Sequence, residues 1–534
     1  MAPIFVGSEN ENSRVRSDRL GFAASTSDPG TAAEGDGYYN SSDNQLKFYD
    51  GSAWSAIQGS GTVELVASGT LSNGQTVIIQ SDGTVVGVSS TGSPQAFGTA
   101  VVYESAEVEE QSAVYDSSNN KVVIAYKDVG NARNGTAVVG TVSGTSISFG
   151  TPVNFNSGTF GTENIAAVYD SSNQKVVIAF TDGNNLSYGM AIVGTVSGNS
   201  ISFGSKATFE ANSNVDHIGI TYDSSNSKVV IAYSNPDNSY YGEAIVGTVS
   251  GTSISFGSAA VFESANTQNI SATFDSSNNK VVIAYRDYAN SEYGTAIVGT
   301  VSGTSISFGS ATVFESAITD SISAVFDSSN NKVVIAYRDG GNSYYGTAVV
   351  GTVSGTDISF GTPVVFESAN SGYNSATFDS TSGKVVIAYS DGGNSSYGTA
   401  IVGTVSGTSI SFGSAAVFES ASTSHVSATF DSSNNKVVIA YRDGGNSSYG
   451  TAIVFKNQGT NLTSENFIGF SDAAYTDGQT ANIQIISSID DAQSGLTTGS
   501  LHYVQTDGTL STTAGNPSVE AGTALSDTKI RIKS

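Results

Sequence analysis

The sequence predicts an all-β protein dominated by a closed, seven-bladed β-propeller of four-stranded blades, and three observations carry that expectation. The string KVVIA recurs seven times, beginning at Lys121, Lys175, Lys228, Lys280, Lys332, Lys384 and Lys436. Each copy sits in a repeat of about 52 residues that turn signals divide into four strand-like runs. The array is offset by one strand: the seventh repeat lacks its fourth run, and a matching run precedes the first repeat.

A representative repeat reads ISATFDSSNNKVVIAYRDYANSEYGTAIVGTVSGTSISFGSATVFESA. Its first strand is ISATFD, followed by the SSNN turn. The second, KVVIAYRD, is nearly all aliphatic and β-branched, as suits a strand covered on both faces. A Gly/Asn/Ser loop leads to the third strand, GTAIVGTV, and the SGTS turn leads to the fourth, ISFGSATVFES. The first and fourth alternate more, as half-exposed strands do. Asp, Asn and Ser in the turns bond the local backbone, and Gly supplies positive φ.

The ends of the array distinguish a ring from an open solenoid. The seventh repeat stops after GTAIVF, and its missing strand stands at residues 94–106 as PQAFGTAVVYESA. A strand from the N-terminal side can then complete the last sheet, which removes a free edge. An open solenoid carries atypical capping repeats, and none is present. The propeller therefore spans residues 92–455. A string of separate small domains is disfavoured, because a unit of this size buries too little surface to fold alone.

The flanks differ in composition from the array. Residues 1–60 contain YYNSSDNQLKFYDGSAW with the single tryptophan, Trp54, and read as a separate N-terminal module with a short hairpin ending on an aromatic cluster. Residues 61–91 hold two or three strands with Asn-Gly and Asp-Gly turns. Residues 456–534 are again β-rich. Ring closure brings 61–91 and 456–534 to one side, so the two are expected to form one split β-domain, with two separate small domains as the alternative.

A formal net charge of −26 argues against a nucleic-acid partner, since phosphate binding needs clustered Lys and Arg. With no cysteine, disulfides, thiol nucleophiles and Cys-based zinc sites are excluded. No apolar run is long enough to span a bilayer as a helix, and the N-terminus lacks a secretory signal core.

The chemistry-bearing residues are sparse. His217, His425 and His502 share no repeat position and are expected in surface positions, the first two in loops between fourth and first strands. The DSSNN turns place Asp116, Asp170, Asp223, Asp275, Asp327, Asp379 and Asp431 at one point of every repeat. Asx-turn bonding accounts for them without calcium, so neither a metal nor a cofactor is expected. The connections after the second and fourth strands emerge on one face, and variation among copies concentrates there. That face carries Arg286 and Asp287, Arg338 and Asp339, and Arg442 and Asp443, with Tyr293, Tyr345, Tyr397 and Tyr449 just before the third strand. Aromatic rings beside carboxylates and guanidinium groups suit sugar binding. The competing reading makes the charged pairs inter-repeat ion pairs and packs each tyrosine on its own sheet. The irregular loops 131–134 and 235–237 and the varied fourth-to-first segments are further candidates.

GDGYYNSSDNQLKFYDGSAW in the N-terminal flank and LHYVQTDGTLSTTAGNPSVEAGTALSDTKIRIKS at the C-terminus resemble modules of virion surface proteins of tailed bacteriophages, of the tail-fibre, knob or spike type from aquatic phages. The resemblance implies a non-enzymatic virion protein made in the host cytoplasm. It implies attachment to other virion proteins through the N-terminal module, a homotrimeric assembly, and display of the array toward a host-surface glycan or protein. Two alternatives stand beside it: a purely structural capsid decoration or tail collar component, and an enzyme degrading envelope glycans. The enzyme requires two or more carboxylates clustered on the variable face.

Overall fold

Nearly every residue of the repeats that could pair as a strand does so. The computed structural model describes residues 61–533 except 81, 90–94, 212–213, 458–461, 464 and 516–517, and the backbone of short strands at 24–25, 37–40, 45–49 and 54–56. The chain is all-β and its strands pair almost wholly antiparallel. It divides into two compact units, one of Gln95–Asn457 and one drawn from both ends of the sequence.

Within the repeat unit, Lys280–Asp287 shows how the array is built. It pairs antiparallel on one side with the end of Ala260–Asp275, setting Phe274 opposite Val281. On the other side it pairs with Tyr293–Ser302, setting Ile283 opposite Ile297, and Ser305–Phe308 adds the fourth strand. Side chains alternate across a strand, so Val281, Ile283 and Tyr285 pack against Val230 and Ala232 of the preceding repeat. Val282 and Ala284 pack against Val333, Ile335 and Tyr337 of the following one. Both faces of each KVVIA strand are thus dry, which is why its sequence shows no polar alternation.

The same contacts join the last repeat to the first. Val438, Ala440, Ala452 and Val454 share a core with Val122, Ile124 and Tyr126. Phe97 lies opposite Phe455, and Val101 and Val102 opposite Ala452 and Thr451, so strands before the first repeat complete the seventh sheet. Along the first strands, a serine hydroxyl accepts the backbone N–H of the next repeat. Ala167 donates to Ser112, Ala324 to Ser271, Ala376 to Ser323 and Ala428 to Ser375, at 2.9–3.0 Å. Ala113 donates to Ser427 at 2.9 Å across 314 residues of sequence.

Several expectations are corrected. The fourth strand is interrupted at its Gly, and only glycine fits there, since a Cβ at Gly309 would stand 1.9 Å from the Thr356 carbonyl oxygen of the next repeat. The connection from fourth to first strand, expected as a loop, is instead continuous strand in five places, such as Thr312–Asp327 and Ala416–Asp431. A bulge with one residue in the left-handed region lets the chain change sheets with only a local break in its ladder. His217 and His425 accordingly lie within strands, not loops, and they do share a repeat position, the bulge itself. His502 is not a surface residue either: it is buried in Leu501–Val504, where its Nε2 accepts the Thr497 N–H at 3.2 Å.

The other unit interleaves the two ends of the chain. Its first sheet runs Thr62–Val66, Thr480–Gln484, Phe467–Ser471, Thr76–Ile79, Val85–Gly87. Val77 and Val85 share a core with Ala481 and Ile483. A second five-stranded sheet lies wholly within residues 489–532. Near the N-terminus, Gly37–Asn40 pairs with Gln45–Tyr49, which pairs with Trp54–Ala56. The aromatic cluster expected in residues 1–60 lies outside the described side chains.

Candidate functional site

The two ends of the repeat sheets differ in what varies. At one end every DSSNN turn closes on its own aspartate: Asp275 Oδ1 accepts the N–H groups of Ser277 and Asn278 at 2.9 and 3.0 Å, and Oδ2 accepts the Asn278 amide at 2.8 Å. These aspartates are buried, and their oxygens are occupied by the turn itself, save that Asp379 Oδ2 accepts from the Asn457 amide at 3.2 Å. Among the described residues no group of three or more His, Asp or Glu is arranged to hold a metal ion.

At the opposite end, Asp287, Asp339 and Asp443 serve their own loops. Asp339 Oδ1 accepts the N–H groups of Gly341 and Asn342 at 2.9 and 3.2 Å, Asp443 does the same for Gly445 and Asn446, and Asp287 accepts from Asn290. Tyr293, Tyr345, Tyr397 and Tyr449 open the third strands, half-buried and opposite the aspartate of their own loop. They are distributed one per repeat and do not converge. The arginines do converge in part. Arg286 and Arg338 share Asp320, at 2.5 and 2.8 Å, while Arg286 also pairs with Glu292, and Arg442 pairs with Glu107. Arg338 lies over the Tyr344 ring at 5.2 Å.

The structure adds a set of positions that sequence reasoning passed over. Each bulge holds a non-glycine residue at positive φ: Glu110, Asn164, His217, Asn269, Ser321, Tyr373 and His425, all between 48° and 53°. Left-handed backbone is costly for bulky side chains and is tolerated where the fold enforces it. The backbone is therefore constant while the seven copies carry five different side chains, Asn and His each occurring twice. The residue before each bulge faces a fixed place on the KVVIA strand, giving the pairs Glu109–Lys127, Glu163–Thr181, Asp216–Ser234 and Gln268–Arg286. The series continues with Asp320–Arg338, Gly372–Ser390 and Ser424–Arg442. The signal was present as a fixed column of unlike residues immediately before each ISATFD run. Without the bulge geometry it read as loop variation.

Neighbouring bulges touch. The Glu110 N–H donates to His425 Nδ1 at 3.2 Å, the His217 N–H to Asn164 Oδ1 at 3.2 Å, and the Tyr373 and His425 rings lie 5.0 Å apart. Burial holds His425 down to about 4, and it holds His217 below the ordinary histidine range. Both imidazoles are thus neutral at neutral pH, and the Nδ1 contact leaves the His425 proton on Nε2. Between the first two repeats, buried Lys127 binds Glu163 at 2.6 Å and Glu109 at 3.0 Å, with Glu110 at 3.8 Å. Burial, then the neighbouring Glu163 carboxylate, pushes Glu110 up to about 8. Glu109 goes the other way: burial raises it, but the Lys127 bond and charge outweigh that and hold it low.

No family model and no curated protein matches the chain. Among solved structures it is similar to the BP39L lectin from Burkholderia pseudomallei, with 9% identity over 67% of this chain and 99% of that one, at a TM-score of 0.50. Sqt1 of Saccharomyces cerevisiae aligns at 9% identity over 72% and 98%, with a TM-score of 0.41. A variant of the Aleuria aurantia lectin in complex with Fucalpha1-6GlcNAc aligns at 12% over 58% and 96%, with a TM-score of 0.37. The likeness to the Burkholderia lectin speaks to the all-β fold alone.

Proposed function

We propose that this protein is a non-enzymatic recognition protein whose bulge-bearing face binds a glycan. One observation carries the reading: seven sheets with nearly identical turns at one end present unlike side chains on an identical, left-handed backbone at the other. A scaffold under structural demand alone has no use for such a column. Two of the solved neighbours carry the name lectin, which agrees with this reading. The continuous core from the seventh repeat to the first and the Phe97–Phe455 pairing support a closed seven-bladed propeller as the platform. The interleaved sheet of the other unit supports one split domain from 61–91 and 456–534.

On the resemblance of both flanks, the setting we propose is the surface of a tailed-phage particle, as a trimeric tail fibre, knob or spike attached through residues 1–60. The target there is a host-surface glycan. The Glu109–Glu110–Glu163 cluster is the observation that favours a glycan-degrading enzyme instead. Lys127 lies within ion-pair distance of all three carboxylates, an arrangement suited to holding two repeats together. The deciding experiment combines adsorption competition and a glycan array with localisation in the intact particle. The expected result is host-cell binding without turnover, lost on substitution of the bulge residues and kept on substitution of the DSSNN turns. Release of sugar from host polysaccharide supports the enzyme, and location in a capsid shell or tail wall without glycan binding supports the purely structural alternative.

A further inference from the structure

The ring of bulge pairs is not uniform. Going along the repeats, the residue before the bulge is Glu109, Glu163, Asp216, Gln268 and Asp320, and then Gly372 and Ser424. The last two repeats therefore contribute no acid at this position. Their partners on the KVVIA strands are Ser390 and Arg442, and Arg338 precedes them in the fifth repeat. Repeat six has given up both members of the pair: Gly372 faces Ser390, and a Cβ at Gly372 would meet nothing within 4 Å. An open notch one side-chain pair wide thus lies between two arginine-bearing repeats.

Beside the notch stands Tyr373, 46% exposed although it occupies the enforced left-handed position, with His425 packed at its side. An exposed aromatic ring on an enforced backbone is a preorganised platform, since its ordering cost is met by the fold. His425 presents its Nε2–H as a neutral donor. Arg338 shares its carboxylate with Arg286, so Asp320 serves two guanidinium groups. The acid on Arg442 is Glu107, which comes from the outer strand and not from the bulge column. In this arc the bulge column itself carries no acid, and each guanidinium fork, already paired with one carboxylate, keeps further N–H donors suited to a second.

We infer that the sixth repeat forms a subsite for a carboxylate-bearing sugar, its C–H face on Tyr373 and its carboxylate toward Arg338 and Arg442. The inference rests on the glycan-recognition reading and names its ligand class. The stacking and the charged contact act on different parts of one pyranose, so the two are separable by substitution.

The test uses the full chain and saturation-transfer NMR with titration of sodium glucuronate and of glucose, alongside a glycan array. Glucuronate is expected to bind more tightly than glucose, and its binding to weaken with added salt as charge contacts do. Tyr373→Ala is expected to weaken both sugars by about tenfold, the order of an aromatic contact with its buried area. Arg442→Gln is expected to weaken glucuronate and leave glucose unchanged, while Ser329→Ala in a DSSNN turn changes neither. Melting curves establish that each variant is folded. Equal binding of the two sugars, or glucuronate binding that survives both Tyr373→Ala and Arg442→Gln, overturns the inference while array binding elsewhere preserves the recognition reading. A chain that binds nothing on the array overturns both.

Discussion

The tyrosine that ends each KVVIAY run is fully buried, and its hydroxyl must find an acceptor in a dry core. Tyr285 donates to Glu263, Tyr337 to Glu315, Tyr389 to Glu367 and Tyr441 to Glu419, at 2.9–3.0 Å, and each bond crosses from one repeat to the one before. Tyr126 and Glu104 make the same bond at 3.0 Å between the strand preceding the array and its first repeat. Repeat two changes both partners at once. Phe180 replaces the tyrosine, and Asn156 replaces the glutamate and bonds Asp182 at 3.0 Å, with Lys206 reaching both. Residue-scale pH dependence centres on Glu110 and His425. Glu110, raised to about 8, contributes stability that is present below its unfolded range and lost as pH rises through 8. His425, lowered to about 4, contributes stability that is lost as pH falls from about 6.5 toward 4. The two oppose each other under acid, and Glu110 alone acts above about pH 6.5. Melting temperature is therefore expected to fall between pH 6.5 and 9, and Glu110→Gln to flatten that fall. An unchanged slope in the variant would show that Glu110 is already ionised in the native state.

At the scale of elements, the first strands are joined by serine–backbone bonds in five of seven places. The two gaps have a simple cause: repeats two and three carry Ala166 and Gly219 where the others carry serine. Ser427→Ala removes the acceptor that Ala113 uses across the ends of the array and is expected to cost about 1 kcal/mol. Ala166→Ser supplies the missing acceptor for the Ile220 N–H and is expected to stabilise by a similar amount. Thermal and denaturant melts of the two variants, shifted in opposite directions, check the account together. The KVVIA strand was legible in sequence because burial on both faces erases polar alternation. The fourth-to-first connection was not, because Asn, Ser, Tyr and His at one column signal a loop equally well as a bulge. The arginines of the candidate site were visible for the same reason that they vary. Their convergence on Asp320 depends on a partner 34 and 18 residues away on another strand.

At the scale of the molecule, the terminal unit depends on both ends of the chain. Thr480–Gln484 lies between Thr62–Val66 and Phe467–Ser471, so neither end by itself completes the interleaved sheet. Truncation after Asn457 removes two of the three inner strands of that sheet. Hydrogen exchange in residues 62–87 is then expected to become fast, while exchange in the KVVIA strands stays slow. Protection retained in 62–87 would mean that the N-terminal strands fold without their C-terminal partners.

The sequence by itself determined the all-β class, the strand composition of the repeat and the aspartate-closed turns, because each follows from local pattern: dry faces, turn chemistry and a fixed period. It also located the end of the repeat where copies differ. Only the tertiary structure decided that the varying column is a bulge, that Arg286 and Arg338 meet at one carboxylate, and that Tyr373 stands exposed beside the Gly372–Ser390 gap. These depend on register between strands that are distant in sequence, and on which neighbour fills or leaves a space. No local pattern encodes either.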